Sequence, residues 1–203
     1  MGDITNIIYF VIASFLFTIA PGPDIIFLVT QTFNHGPKAG FPTALGLASG
    51  NLIHTLAAAL GVSLIFQTSE LAFNILKICG ACYLLYLAYE IIFKRSSPSN
   101  KTKNLSQHSL VIRGMLMNLL NPKVLLFYLA FLPQFVSPNS QNIWLEMMFF
   151  GILFTTIVLI TFGSIGLFAG YFQKITPDKL LASTSFKWVL ASIYILLAAR
   201  LIF

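Results

Sequence analysis

Two charged residues of this sequence stand where charge is expensive. Asp24 follows Pro21-Gly22-Pro23, and Lys123 follows Asn121-Pro122, each inside a long apolar run. Proline removes a backbone donor and clashes with the preceding turn, and glycine relaxes the backbone further. Two prolines around a glycine therefore end one helix and start another, with proline favoured at the first helical position. Asn121 is suited to cap the second restart and Pro122 to begin it. Each break frees backbone carbonyls and amides, which survive in a membrane only inside protein or beside a watery cavity. A charge facing hydrocarbon costs at least about 2.5–3.5 kcal/mol on insertion scales. Asp24 and Lys123 are thus expected to face the bundle interior and each other. A plain proline kink or a purely structural ion pair would leave the same traces. Buried pairs are weak stabilisers, because desolvation offsets attraction, and that favours a functional purpose.

The chemistry such a site offers is recognition of a zwitterion. Lys123 and a half-helix N-terminus at Asn121-Pro122 suit a carboxylate. Asp24 and freed carbonyls near Ala20 and Gly22 suit an ammonium group. The predicted binding residues are Pro21, Gly22, Pro23, Asp24, Asn121, Pro122 and Lys123. Asn51 and His54 lie three apart on one helix face, and Asn118 sits one turn before Asn121. These three are candidates for lining the path. His54 falls near mid-span, where it suits a proton relay or, equally, a neutral imidazole bonded to a neighbouring helix.

Other patterns point to packing. Cys79 and Cys82 form a C-x-x-C, but inside an apolar helix it reads as two buried small residues rather than a redox pair. Gly46 and Gly50, and Gly163, Gly166 and Gly170, read as close helix contacts. Tyr83, Tyr86 and Tyr89 recur every third residue and read as packing and interfacial anchoring. Three widely spaced histidines suggest no metal site, and no phosphate-binding glycine loop is present. The expectation is a non-enzyme with no cofactor.

The elements that must hold these residues are membrane helices. The chain has 203 residues, 57% hydrophobic and 9% charged, with a mean hydropathy of +0.85. A soluble domain carries roughly 25% charged residues, so lipid must cover much of this surface. Apolar stretches fall at roughly 4–33, 40–66, 69–93, 110–136, 143–173 and 183–203. The polar segment 94–109 reads as a solvated linker. The N-terminus has no positive n-region and no convincing cleavage site, so it reads as the first span. Position 6 is Asn, so a myristoylation motif fails.

Basic residues set the orientation. Lys38, then Lys94, Arg95, Lys101, Lys103 and Arg113, then Lys174, Lys179 and Lys187 share one side, expected to be cytoplasmic. Arg200, Lys77, Asp3, Glu70 and Glu146 fall on the other, so both termini are expected outside. Trp144 and Trp188 sit at span ends, where interfacial indoles belong. The net charge of +6 is this topology signal, not a nucleic-acid footprint. Three spans per half imply two halves inserted in opposite orientations, as in inverted-repeat transporters. Pro23-Asp24-Ile25-Ile26-Phe27-Leu28 aligns with Pro122-Lys123-Val124-Leu125-Leu126-Phe127, with opposite charges at one position. The predicted fold is an all-α membrane protein. It has six transmembrane helices in two inverted three-helix repeats, with helices 1 and 4 broken by proline motifs. The whole of 1–203 is one transporter domain, with repeat 1 at about 4–93, a cytoplasmic linker at about 94–109, and repeat 2 at about 110–203.

The chain resembles the LysE/RhtB family (lysine exporter / homoserine–threonine resistance) of bacterial amino-acid exporters. The resemblance rests on Pro21-Gly22-Pro23, on Gly36, Gly40, Gly46, Gly50 and Asn51, and on Lys77-Ile78-Cys79-Gly80-Ala81-Cys82-Tyr83-Leu84. It continues through Arg113-Gly114, Asn121-Pro122-Lys123 and Phe131-Leu132-Pro133-Gln134-Phe135, covering nearly the whole chain in order. The resemblance implies a bacterial inner-membrane exporter of amino acids or close derivatives, driven by the proton motive force. Expected partners are an amino-acid substrate and membrane lipid, with a homo-oligomer left open and no nucleic acid. Competing readings are a channel or carrier for another small solute, a membrane thiol oxidoreductase, and a scaffold subunit without transport.

Overall fold

The computed structural model describes residues 4–20, 22–68, 70–93, 106–137 and 140–171, with seven positions between 188 and 199. Expectations on Pro21, on the side chains of Glu70, Lys77, Cys79 and Tyr83, and on the basic residues of 94–103 and 174–187 lie outside the described residues, as do Asp3 and Arg200. Every element described is helical. The elements are α1 (Ile4–Ile19), α2 (Pro23–His35), a 3-10 turn (Pro37–Ala39), α3 (Gly40–Thr68), α4 (Glu70–Phe93), α5 (Gln107–Leu119), α6 (Pro122–Leu126) and α7 (Ile143–Tyr171). A π-helical segment (Phe127–Phe131) and a 3-10 turn (Leu132–Phe135) prolong α6.

Both expected breaks are present. α1 and α2 meet at a bend of 55°, and α5 and the helix Pro122–Phe135 meet at 54°. The local causes are those of the sequence. Gly22 stands extended before Pro23, which occupies the first turn of α2. Asn121 caps α6, its Oδ1 accepting the Lys123 backbone N–H at 3.0 Å. α2 ends at Gly36, whose φ of +83° is open to glycine at little steric cost.

Pro37–Gly61 and Ile143–Phe168 are each long and apolar enough to cross a membrane. The two bent pairs raise the number to four if each is one span. The stretches expected at 69–93 and 183–203 correspond to α4 and to the sparsely described C-terminal segment.

α3 is the centre of the bundle, packed against α5 and α7. Glycines set those distances. A Cβ on Gly114 would stand 2.7 Å from the Thr43 carbonyl, and one on Gly40 would stand 2.6 Å from the Gly166 backbone. A Cβ on Gly46 would run into the Val111 carbonyl. The helices thus approach backbone to backbone, as small residues permit in membranes. Gly163 departs from that expectation, since its nearest neighbour would be a Phe41 ring carbon at 4.0 Å.

Large apolar side chains are also exposed, among them Ile12 on α1, Leu56 on α3, Ile78 on α4 and Phe149 on α7. Helices apolar on both faces belong in lipid. Cys82 lies on such a face. Its side chain is exposed, between Ile78 and Leu85 on the outward stripe of α4, which corrects the expectation of a buried pair. α4 turns its other face, with Ala81 and Ala88, inward, and packs on α6 and the π segment. Tyr86 and Tyr89 share the exposed stripe, consistent with interfacial anchoring.

Candidate functional site

The two breaks meet. Because α2 restarts at Pro23, the Ala20 carbonyl at the end of α1 has no helical amide to accept from. The Lys123 ammonium, carried on the first turn of α6, donates to that carbonyl at 2.8 Å. The same nitrogen lies 3.6 Å from Asp24 Oδ1 and 4.8 Å from the centre of the Phe17 ring. Lys123 is 1% exposed and Asp24 3%, so neither charge has water as its main partner. At 3.6 Å the pair is an ionic contact and not a hydrogen bond. Asp24 Oδ1 accepts no hydrogen bond among the described residues. The pair is closed electrostatically yet leaves an acceptor open.

Gly22 is part of this geometry. A Cβ there would stand 2.7 Å from Asp24 Oδ1, 2.9 Å from Lys123 Cδ and 3.1 Å from Lys123 Nζ. The pair therefore lies directly on the glycine backbone. The carbonyls expected to receive an ammonium ligand are engaged within the protein. Ala20 holds Lys123, and the Gly22 carbonyl accepts the Ile26 N–H at 3.1 Å as the first bond of α2. The Lys123 amide at the start of α6 is likewise occupied, by Asn121 Oδ1. What remains open at the breaks is side-chain capacity, on Asp24 Oδ1 and Asn121 Nδ2.

The three path candidates also come together. Asn51 and His54 on α3 and Asn118 on α5 are all buried. Asn118 Nδ2 donates to Asn51 Oδ1 at 3.4 Å, and His54 Nε2 lies 3.4 Å from the Asn118 carbonyl. Asn118 Oδ1 is pressed against Gly50, where a Cβ would stand 2.6 Å away, and has no hydrogen-bond partner among the described residues. The Asn118 carbonyl also receives the Asn121 N–H at 3.0 Å, which links this cluster to the second break.

Sequence reasoning missed several members. Thr55 donates to the Asn51 carbonyl at 2.8 Å and lies 3.0 Å from the Tyr128 hydroxyl. The Tyr128 ring is fully buried and stacks on His54 at 5.5 Å with 23° between planes. π-helical turns occur often at functional sites, and Tyr128 is carried on one. Thr55 was within reach of the helical period, one turn after Asn51. Tyr128, five residues after Lys123, had no such signal, since the π turn that aims it is not encoded by a local pattern. On α2, Gln31 and Thr32 are buried two turns from Asp24.

The family model described as LysE type translocator matches residues 15–203, which include both breaks. A leucine efflux protein of Enterobacter sp. (strain 638) is 31% identical over 163 residues, covering 78% of this chain and 75% of its own. The uncharacterized membrane protein YrhP of Bacillus subtilis (strain 168) is 32% identical over 158 residues, covering 72% and 75%. A leucine efflux protein of Salmonella choleraesuis (strain SC-B67) is 28% identical over 156 residues, covering 75% and 72%. No solved structure gives a significant match. The readings as a thiol oxidoreductase and as a scaffold without transport therefore fall away: the chain is a transporter and not an enzyme, and it belongs to the LysE type translocator family.

Proposed function

We propose that this chain exports amino acids or close derivatives across the bacterial inner membrane, driven by the proton motive force, with Asp24 and Lys123 as its binding centre. The observation that carries the reading is the buried Asp24–Lys123 contact at 3.6 Å where two broken helices meet. An amino acid brings a carboxylate and an ammonium of its own. Its carboxylate pairs with Lys123 and its ammonium with Asp24 Oδ1, the acceptor that no donor among the described residues fills. Substrate thus replaces an internal ion pair with two external ones at no change in net charge. Protonation of Asp24 removes the ammonium's partner and provides the coupling. Gly22 leaves room for the exchange, and Asn121 adds a free amide donor. Pro23 and Pro122 start the helices that carry the pair, Pro21 is assigned to the same break, and Asn51, His54 and Asn118 line the path. The relatives named leucine efflux proteins direct the first choice of substrate to leucine. Phe17 beside Lys123 suits an apolar side chain.

The same reading includes six spans in two inverted repeats within one domain, with both termini outside. Its support is pairwise. α3 and α7 are each 29 residues long, and the two bends are 55° and 54°. α3 packs on α5 and, less extensively, α7 packs on α1; α3 also meets the π segment, and α7 meets α2. The test is an efflux screen across amino acids in an export-deficient strain expressing the chain, with and without a proton gradient. Faster release of leucine or a related amino acid that a protonophore stops is the expected result. If no amino acid leaves faster than from the empty strain, the reading is wrong.

A further inference from the structure

The two halves of the bundle, above and below the ion pair, differ in kind. Asn6 near the start of α1 donates to the Phe135 carbonyl at 2.9 Å, so these two ends share one side. The Gly40 and Gly166 backbones touch, so the start of α3 and the end of α7 share the other side, with Lys38. On the Asn6 side, α1, the segment Pro122–Phe135 and α7 interlock through phenylalanines. Phe10 lies 5.0 Å from Phe135 and 4.8 Å from Phe150, Phe17 lies 4.7 Å from Phe127, and Phe127 stacks on Phe154 at 3.9 Å. All are buried. Six buried rings close this half, although the Ser14 hydroxyl, on the same stripe of α1 as Phe10 and Phe17, is also buried with no hydrogen-bond partner among the described residues.

On the Lys38 side the inward face of α2 runs Asp24, Leu28, Gln31, His35, a spacing that keeps them on one stripe. Gln31 is 7% exposed. Its Oε1 and both ring nitrogens of His35 are buried with no hydrogen-bond partner among the described residues. Each such group carries a desolvation cost that no hydrogen bond among the described residues offsets. The matching positions of the other half are treated differently. Ala130 stands as far from Lys123 as Gln31 from Asp24, and Gln134 as far as His35. Ala130 is apolar, and Gln134 Nε2 donates to the Ala130 carbonyl at 2.9 Å. At 1.5 Å per residue, Gln31 lies about 10 Å and His35 about 16 Å along the axis from Asp24. Half of a hydrocarbon core is about 15 Å, so the stripe is long enough to join a pair at mid-membrane to the surface.

We infer that Gln31 and His35 line a polar route from the Lys38 side to the Asp24–Lys123 pair, and that the phenylalanine cluster is the closed gate on the opposite side. The open hydrogen-bonding capacity of Gln31 and His35 is met by water or by the polar end of a passing solute. The inference rests on the transport reading above for what travels the route, and on geometry alone for the route itself.

The test is thiol accessibility in the full chain, in a Cys79→Ser, Cys82→Ser background, in right-side-out and inside-out vesicles. The probe is a charged, membrane-impermeant methanethiosulfonate. Gln31→Cys and His35→Cys are compared with Ala130→Cys, a small buried residue of the aromatic half. The expected result is labelling of the first two from the Lys38 side only. Their rate should be about tenfold or more above that of Ala130→Cys, because a thiolate is costly to form inside a buried apolar cluster. Added leucine should slow labelling at Gln31→Cys. Equal rates for Gln31→Cys and Ala130→Cys, or labelling of Gln31→Cys from the opposite side, overturn the route. Labelling as expected without amino-acid efflux keeps the route and removes the substrate reading. Efflux with Gln31→Cys inert to the reagent does the reverse.

Discussion

Removing one charge of the central pair should harm the protein more than removing both. At 3.6 Å and an effective dielectric constant near 20, the Coulomb attraction of Lys123 and Asp24 is about 4–5 kcal/mol. Desolvation of two buried groups cancels most of it, so the pair adds little net stability, whereas a single deletion strands a buried charge at about 3–5 kcal/mol. The two single variants should not be equal. Asp24→Asn leaves the ammonium on the Ala20 carbonyl and the Phe17 ring. Lys123→Met strands a carboxylate whose Oδ1 already lacks a donor and orphans the Ala20 carbonyl as well, so it should be the less stable. The double variant loses both charges, leaves the Ala20 carbonyl and the introduced amide as neutral buried groups, and should return to within about 1–3 kcal/mol of wild type. Unfolding of the purified protein in detergent gives the stability cycle, and leucine efflux gives the functional one. The account expects stability to recover in the double variant and efflux to stay lost in all three. Efflux of Asp24→Asn near the wild-type rate, or a double variant no more stable than Lys123→Met, would refute the reasoning.

Three further outcomes follow from the geometry. Gly22→Ala places a methyl 2.7 Å from Asp24 Oδ1 and 2.9 Å from Lys123 Cδ, so it should separate the pair and cut efflux by about tenfold or more at normal expression, an effect of about 1.4 kcal/mol; wild-type efflux would contradict it. Asn121→Ala removes the cap of α6 and should cost about 1 kcal/mol in unfolding measurements, with Asn121→Ser recovering most of it. Tyr128→Phe loses the contact with Thr55 at 3.0 Å but keeps the ring against His54, and should cost about 1 kcal/mol; Tyr128→Ala, which empties a fully buried site, should cost about 3–5 kcal/mol.

The breaks were legible because proline, glycine and an asparagine cap act within a few residues of themselves. The meeting of Asp24 and Lys123 was legible because the cost of charge in lipid allows few other arrangements. The capture of the Ala20 carbonyl by Lys123 was not, since it depends on how far one side chain reaches across a bundle. Nor was the orientation of Cys82. The apolar residues of α4 are spread around the whole helix, so they give no period from which to choose its lipid side. The same lack of contrast hides which glycines are contacts, so Gly166 meets a backbone and Gly163 does not. Tyr128 was hidden for a different reason, because a π turn shifts the helical register that periodicity assumes. Gln31 and His35 could have been found by extending the face of Asp24 two and three turns along α2.

The most direct test of the central claim is leucine flux and proton flux measured together in vesicles holding the purified chain. The account predicts leucine movement that follows an imposed proton gradient, with protons moving the opposite way, and loss of both fluxes in Asp24→Asn. Leucine and other amino acids crossing no faster than in protein-free vesicles, whatever the gradient, would contradict it.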